Sequence, residues 1–313
     1  MTRRSERDTV APNGNGRIRI LAACLTAIPV VALTAACGVD TSSRTGGPVG
    51  SGPVVVGAAD TIESELVARL YAGALGANGT ATELVLGLGD QADRLAALDG
   101  NRVSLVPEHT GRLLHRFDSA AEVTEEEDVY DALSRSLPEG LSVSEYAPAD
   151  DRSALVLTEE QADVLGASSV ADLAPRCSTL TLYASEDFAA DAGALDRLQS
   201  LYGCTFAEVV PAGSPAAGTR ELAAGASPVH GTTAADPVVA QDELVVLTDE
   251  EGAFTAQKVV PLFRSGVLTA DDIRSLSVIL QLSTADLTAM AARVRDGELS
   301  SADAAAAWLE EHV

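Results

Sequence analysis

Short apolar runs alternate with amphipathic helical stretches along most of this chain, and this alternation restricts the fold more than any other feature. The first set begins with VVVGAAD (54–60) and continues to RVSLVPE (102–108). A second set contains SALVLT (153–158), STLTLYAS (178–185) and DELVVLTD (242–249). Strands that alternate with helices form a mostly parallel sheet with crossover helices. The sequence therefore predicts an α/β protein with two sets of β/α units and a purely helical C-terminus.

Helix start signals support this assignment. A Ser, Thr or Asp followed three residues later by an acidic residue or Gln is typical of a capped helix N-terminus. We expect Asp60 to cap the first helix and Trp308 to anchor the last helix to a core. The capping pairs are Asp60/Glu63, Thr158/Gln161, Thr269/Asp272, Ser283/Asp286 and Ser300/Asp303.

The N-terminus has the composition of a targeting segment. Five arginines precede or flank the apolar stretch ILAACLTAIPVVALTAA (20–36), which is short and interrupted by Pro29. Such a pattern is typical of a signal peptide. The small residues before Cys37 resemble a bacterial lipobox, so residues 1–36 are predicted to be removed and Cys37 to carry lipid; ordinary secretory cleavage after Ala36 is the alternative. Residues 37–53 are predicted to form a Ser/Gly/Pro-rich flexible tether.

The remaining cysteines, Cys177 and Cys204, form an even pair in a chain predicted to be exported to an oxidising compartment. We expect a disulfide between them, which would stabilise the fold by about 3 kcal/mol for a loop of this length. Two buried free thiols are the alternative.

Composition and motifs narrow the possible functions. The formal net charge of −25 argues against nucleic acid or an anionic membrane surface as a partner. The sequence lacks G-x-S-x-G, H-E-x-x-H, C-x-x-C and Walker motifs. We therefore expect neither an enzyme nor a resident metal or cofactor. An exported solute receptor and a structural lipoprotein remain.

Several segments resemble the substrate-binding proteins of bacterial ABC importers for glycine betaine, carnitine and choline. The resemblance runs from about Val54 to Glu311 and includes LDGNRVSLVPEHTGRLL (98–114), LQSLYGCTFAEVVP (198–211) and VVPLFRSGVLTADDIRSLSVILQLSTADLTAMAARV (259–294). It implies the type II periplasmic-binding-protein fold, in which two lobes are joined by a two-strand hinge and close on a solute. Lobe 1 would comprise residues 54–151 and 255–313, and lobe 2 the inserted residues 152–254. It also implies a monomer outside the cytoplasm, anchored to the outer face of the membrane, that delivers its solute to permease subunits.

The resemblance breaks down at the ligand pocket. In that family, aromatic rings, mostly tyrosines, enclose a quaternary ammonium, because N-methyl groups donate no hydrogen bonds and are held by ring faces. Here polar residues replace all four tyrosines of the cage. A threonine and a glutamine of the pocket are also replaced. The tyrosine positions correspond to His109, Ser153, His230 and Gln257, the threonine to Arg112, and the glutamine to Ser64.

These six residues are the predicted ligand-binding set, and they favour a hydrogen-bonded ligand. The guanidinium of Arg112 matches a carboxylate or phosphate, so a small polar osmolyte-like solute with an anionic group is expected. A salt bridge is the alternative role for Arg112, and a buried structural role is the alternative for His109 and His230. Two other functions stay open: a metal receptor that uses Glu108, His109 and His230, and a degenerate family member that serves as an envelope lipoprotein without transport.

Overall fold

The computed structural model describes residues 52–191, 193–212, 229–236, 239 and 244–312. The predicted signal peptide, Cys37 and almost all of the predicted tether lie outside the described residues. In the described part of the chain, the strands are β1 (Val54–Gly57), β2 (Thr82–Val85), β3 (Leu105–His109), β4 (Leu141–Val143), β5 (Ser153–Thr158), β6 (Thr181–Ala184), β7 (Glu208–Pro211), β8 (Val229–Thr233), β9 (Leu244–Val246) and β10 (Val259–Arg264).

The strands form two five-stranded sheets of the same design. The first has the order β2-β1-β3-β10-β4, and the second has the order β7-β6-β8-β5-β9. In each sheet three parallel strands are extended by two strands that run antiparallel to their neighbours. We call residues 54–143 and 259–312 the first half, residues 153–247 the second half, and residues 144–152 and 248–258 the linking segments. The predicted lobe boundaries, 54–151 with 255–313 and 152–254, stay a prediction.

Helices cover the sheets, as the alternation of the sequence requires. The described α-helices are α1 (Ile62–Ala77), α2 (Gln91–Asp99), α3 (Thr110–Phe117), α4 (Glu126–Ser136), α5 (Glu159–Leu165), α6 (Val170–Leu173), α7 (Glu186–Ala189), α8 (Ala194–Tyr202), α9 (Ala270–Ser275), α10 (Thr284–Arg295) and α11 (Ser301–His312). Short 3-10 helices occupy Ala174–Thr179 and Leu276–Gln281. No single described helix is long and apolar enough to cross a membrane; only Ala270–Gln281 with Thr284–Arg295, bent by 83°, would qualify as a pair by length and composition.

The helix caps confirm most of the start signals. Complete capping boxes form at Thr158, Thr269 and Ser283, and the Ser300 hydroxyl accepts a hydrogen bond from the Asp303 amide. The prediction for α1 was wrong. Thr61, not Asp60, is the N-cap, and its hydroxyl accepts a hydrogen bond from the Ser64 amide. Both residues are good caps, so local preference did not distinguish them.

Apolar side chains form two clusters in the first half and one in the second. In the first cluster α1 packs against α10, α11 and the first sheet, and Trp308 is buried there as predicted. The second cluster fills the other face of the first sheet, between that sheet and helices α2, α3 and α4. The third lies around the second sheet and includes Cys177 and Cys204, which form a disulfide with Cα atoms 5.3 Å apart.

The two linking segments run side by side in opposite directions. An isolated antiparallel bridge joins Asp150 to Lys258, and the Asp151 amide donates to the Gln257 carbonyl. The Asp150 carboxylate accepts hydrogen bonds from the Gln257 amide, the Arg152 amide and the Arg152 guanidinium. The connection between the halves is therefore a pair of hydrogen-bonded segments, and Asp151 and Gln257 of these segments line the cavities between the halves.

Candidate functional site

Two adjoining cavities lie between the halves, with volumes of about 340 Å³ and 300 Å³. Side chains of the first half, the second half and a linking segment line each of them. The residues that line both cavities are Arg94, His109, Arg112, Asp151 and Asp187. These shared residues form the centre of the candidate site.

His109 and Arg112 are placed here by the junction of β3 and α3. His109 is the last residue of β3 and the N-cap position of α3, and Arg112 lies in the first turn of that helix. The carboxyl end of a strand in an α/β sheet is where ligand-binding side chains usually gather. Arg112 Nη1 lies 3.1 Å from His109 Nδ1, so the two side chains contact each other directly.

Arg112 is already engaged by a carboxylate. Its Nη2 donates to Asp151 Oδ2 at 2.8 Å, and the Asp151 side chain is only 6% exposed. The alternative of a salt bridge for Arg112 therefore describes this structure, and an anionic ligand would meet a guanidinium that a carboxylate already contacts. Asp151 was missed in the sequence because an acidic residue in so acidic a chain carries no local signal.

The imidazole of His109 pairs with a second acidic residue that the sequence analysis treated only as a capping residue. His109 Nε2 lies 2.9 Å from Glu63 Oε1. Burial by itself would lower the pKa of His109, but the Glu63 carboxylate raises it above its ordinary value. Burial by itself would raise the pKa of Glu63, but His109 and then Arg112 lower it. Glu63, in the first turn of α1, and His109 therefore form a hydrogen-bonded pair in which each residue shifts the pKa of the other towards its charged form.

Asp151 has the most unusual electrostatics of the site. Burial and the neighbouring Glu63 carboxylate raise its pKa to about 6, although Arg112 and His109 oppose the shift. Its Oδ1 atom accepts no hydrogen bond from the described residues, while the Thr233 hydroxyl lies close enough to favour the ionised form. The site thus holds a buried carboxylate, Asp151, close to a half-buried one, Glu63, and ionising both is costly.

Three of the other predicted residues also line the cavities. Ser64 lines the larger cavity, and its hydroxyl accepts a hydrogen bond from the Ala59 amide at 2.9 Å. Ser153 and Gln257 line the smaller cavity. The Gln257 side-chain oxygen accepts a hydrogen bond from the Arg112 amide at 2.8 Å, so Gln257 holds the start of α3 in place.

His230 is not brought to this site. It is fully buried on β8, between Val156 of β5 and Tyr183 of β6, and it is absent from the described linings of both cavities. Glu108 lines the larger cavity, but its carboxylate accepts hydrogen bonds from Arg94 and Gln91. The structure therefore does not gather Glu108, His109 and His230 into one metal-binding set.

The aromatic content of the site differs from that of a site that encloses a quaternary ammonium. Among the described residues, no Phe, Tyr or Trp lines either cavity. Carboxylates outnumber cations in the larger cavity, which contains Glu63, Glu108, Asp151, Asp187 and Asp236 against Arg94, Arg112 and His109. The described linings therefore offer hydrogen-bonding and charged groups, and they offer no aromatic ring faces.

Residues 52–311 match the family described as "Substrate binding domain of ABC-type glycine betaine transport system". No curated protein matches the chain in sequence. The fold, however, is similar to that of solved structures. A glycine betaine/carnitine/choline ABC transporter structure is 18% identical, with a TM-score of 0.73, and the match covers 83% of this chain and 98% of that chain.

Two further structures have the same coverage of this chain, 83% in each case. Apo YehZ from Escherichia coli is 22% identical over 99% of its length, with a TM-score of 0.71. Lactococcal OpuAC in its closed form with glycine betaine is 13% identical over 96% of its length, with a TM-score of 0.53. The predicted fold class, α/β with the type II periplasmic-binding-protein fold, is confirmed.

Proposed function

Because this chain belongs to the family of substrate-binding domains of ABC-type glycine betaine transport systems, we propose that it captures a small polar solute between its halves and delivers it to a membrane permease. The family is one of solute-binding proteins and not of enzymes. The observation that carries the proposal is the pair of adjoining cavities, lined from both halves by charged and hydrogen-bonding side chains. Such a cleft binds a solute without any covalent step.

The solute in this proposal is not glycine betaine. A quaternary ammonium gains about 0.5–2 kcal/mol from each ring face that it contacts. His109, Ser153 and Gln257 line the cavities where the resemblance placed tyrosines, and the described linings contain no aromatic ring. The loss of several such contacts weakens binding by orders of magnitude.

Capture works through closure of the halves about the linking segments. A solute stabilises the closed form by the difference between its affinities for the closed and open forms. The paired segments at Asp150 and Lys258 are the proposed hinge, because they carry the covalent connections between the halves. The closed form is then recognised by the permease.

The proposal places the protein outside the cytoplasm, held to the outer face of the cell membrane by lipid on Cys37. Its support is the sequence pattern of residues 1–36 and the Ser/Gly/Pro-rich residues 37–53. We expect Cys37→Ala to release the protein from the membrane fraction. Retention of this variant in that fraction, with an unlipidated N-terminus by mass spectrometry, would refute the anchor.

Thermal unfolding of the full chain in mild detergent tests solute capture. A panel of small amines, amino acids, carboxylates and quaternary ammonium compounds is added one at a time. A solute present at one hundred times its Kd stabilises the folded state by about 2.7 kcal/mol, or about 5–10 °C in Tm for a chain of this size. A non-transport scaffold shows no shift with any compound, and that outcome would refute the proposal.

A further inference from the structure

The three basic residues that line the larger cavity are already paired with carboxylates of the protein. Arg94 Nε lies 2.8 Å from Glu108 Oε1, Arg112 Nη2 lies 2.8 Å from Asp151 Oδ2, and His109 Nε2 lies 2.9 Å from Glu63 Oε1. A solute with an anionic group would have to displace one of these carboxylates. The geometry therefore disfavours an anion in the cleft.

Acceptor atoms in the cleft are left over after this pairing. Asp151 is 4% exposed and lines both cavities, and its Oδ1 accepts no hydrogen bond from the described residues. Asp187, at the start of α7, also lines both cavities, and it forms no ion pair with the described residues. One acceptor comes from a linking segment and the other from the second half. A single solute between them would contact both.

The charges of the cleft also favour a cationic solute over an anionic one. Burial and then the Glu63 carboxylate raise the pKa of Asp151 to about 6, so a full set of negative charges in the cleft is unfavourable. A cation beside Asp151 relieves that repulsion. Carboxylates accept hydrogen bonds and donate none, so the cation that fits them best carries N–H groups.

We propose, on the basis of the function proposed above, that the solute is a small primary or secondary ammonium or amidinium compound whose N–H groups donate to Asp151 and Asp187. A permethylated ammonium has the same charge but no donor. The described cavity linings provide no ring face to replace that donor. The cleft thus selects its solute by N–H donors on a cation, and it discriminates against N-methylation.

A divalent metal ion is the competing occupant. Glu63, His109 and Asp151 each place a ligand atom within 4.8 Å of the others. Both nitrogens of His109 are in use, however, because Nε2 contacts Glu63 and Nδ1 faces the guanidinium of Arg112. A metal ion would therefore require Arg112 to move away, whereas an ammonium group leaves these contacts intact.

Isothermal titration calorimetry of the full chain in mild detergent at pH 7.5 tests this proposal with matched pairs. The probes are ethanolamine against choline, glycine against glycine betaine, putrescine, guanidinium compounds, succinate and zinc chloride. We expect an N–H cation to bind and its N-trimethyl counterpart to bind at least tenfold more weakly. Asp151→Asn and Asp187→Asn should each weaken the N–H cation about tenfold or more, because each removes a charge-assisted hydrogen bond.

Asp271→Asn is the matched control, because Asp271 is an exposed carboxylate on α9 outside both cavities. The Asp271→Asn variant should bind the N–H cation with the same affinity as the parent. Asp187 is exposed, so its variant keeps the test informative even if Asp151→Asn does not fold. Tighter binding of choline, glycine betaine, succinate or zinc ion, or unchanged affinity in Asp187→Asn, would overturn the inference and leave the receptor function standing. Failure of every probe and of the wider panel would instead refute the receptor function itself.

Discussion

The two halves share one sheet design but contribute differently to the cleft. The first half places its charges in fixed pairs, such as Arg94 with Glu108 and His109 with Glu63. The second half contributes Asp187, on a four-residue helix, to both cavities and the Arg197–Asp191 ion pair to the smaller cavity. In the larger cavity, the first half therefore places its charges in ion pairs, whereas Asp187 of the second half forms no ion pair with the described residues. In the proposal made above, a cation between the halves makes closure favourable.

The halves also differ in how they are stabilised. The first half has two apolar clusters and a set of C-terminal helices packed against α1. The second half has one cluster and a disulfide between Cys177 and Cys204. A smaller core benefits more from a covalent link, because cross-linking reduces the entropy of the unfolded chain.

The ion pairs of the first half are tested by the variant Arg94→Met. This change leaves Glu108, whose side chain is 1% exposed, without its cationic partner. Removal of one partner from a buried ion pair destabilises a protein by about 3–5 kcal/mol, which chemical denaturation would measure. Arg69→Met is the control, since it removes a half-buried i,i+4 pair with Glu65 and should cost less than about 1 kcal/mol. Equal losses in the two variants would show that the buried pair has no special role.

The cross-link of the second half is tested by the double variant Cys177→Ser, Cys204→Ser. The bond joins residues 27 apart in sequence, so its loss should cost about 3 kcal/mol. Trp308, the single tryptophan, is buried in the first half. We therefore expect the transition seen by circular dichroism to shift more than the one seen by tryptophan fluorescence. Identical shifts would mean that the halves unfold as one unit and that the disulfide stabilises both to the same extent.

The junction between the site and the linking segment is tested by Gly111→Ala. A Cβ atom at this position would lie 2.6 Å from the Ala256 carbonyl oxygen and 2.7 Å from Gln257 Nε2. Overpacking of this kind costs about 1–3 kcal/mol. At Gly76 in α1 a Cβ atom would meet nothing within 4 Å, so Gly76→Ala should instead stabilise the protein by up to about 1 kcal/mol. A Gly111→Ala variant as stable as the parent would contradict the close approach.

The meeting point of the halves is tested by the pH dependence of Asp151→Asn. The pKa of Asp151 is raised from 3.8 to about 6 in the folded state. Between about pH 4 and pH 6 the native state thus binds more protons than the unfolded state, and stability falls as the pH rises. The stability of Asp151→Asn relative to the parent should increase by about 2 kcal/mol from pH 4 to pH 7.

The groups around Asp151 are Glu63, Arg112, His109 and Thr233. Titration of the Asp151 carboxyl by NMR in the Glu63→Gln variant checks the cause, because loss of that neighbouring charge should lower the pKa of Asp151. Two outcomes would contradict repulsion between the Asp151 and Glu63 carboxylates. One is a stability difference between Asp151→Asn and the parent that does not change with pH, and the other is an unchanged pKa of Asp151 in Glu63→Gln.

Local patterns in the sequence were enough for most of the fold. The alternation of apolar runs and the Thr158, Thr269 and Ser283 capping boxes depend on residues a few positions apart, so they can be recognised without tertiary contacts. The exception was the start of α1, where Asp60 and Thr61 were equally suitable. His109 and Arg112 were predicted as pocket residues from the resemblance of their segment, and both line the cavities.

The α/β class and the helix caps could be read from the sequence, because periodicity and residue type are local properties, and the family resemblance indicated the loss of tyrosines at the pocket positions. The packing of the chain was needed to find which of the 46 acidic residues lie at the cleft. Glu63 comes from α1, Asp151 from a linking segment and Asp187 from the second half. The packing of the chain also places His230 inside the second sheet. Charge pairing in a cleft depends on distances in space, and those distances arise only when remote segments pack together.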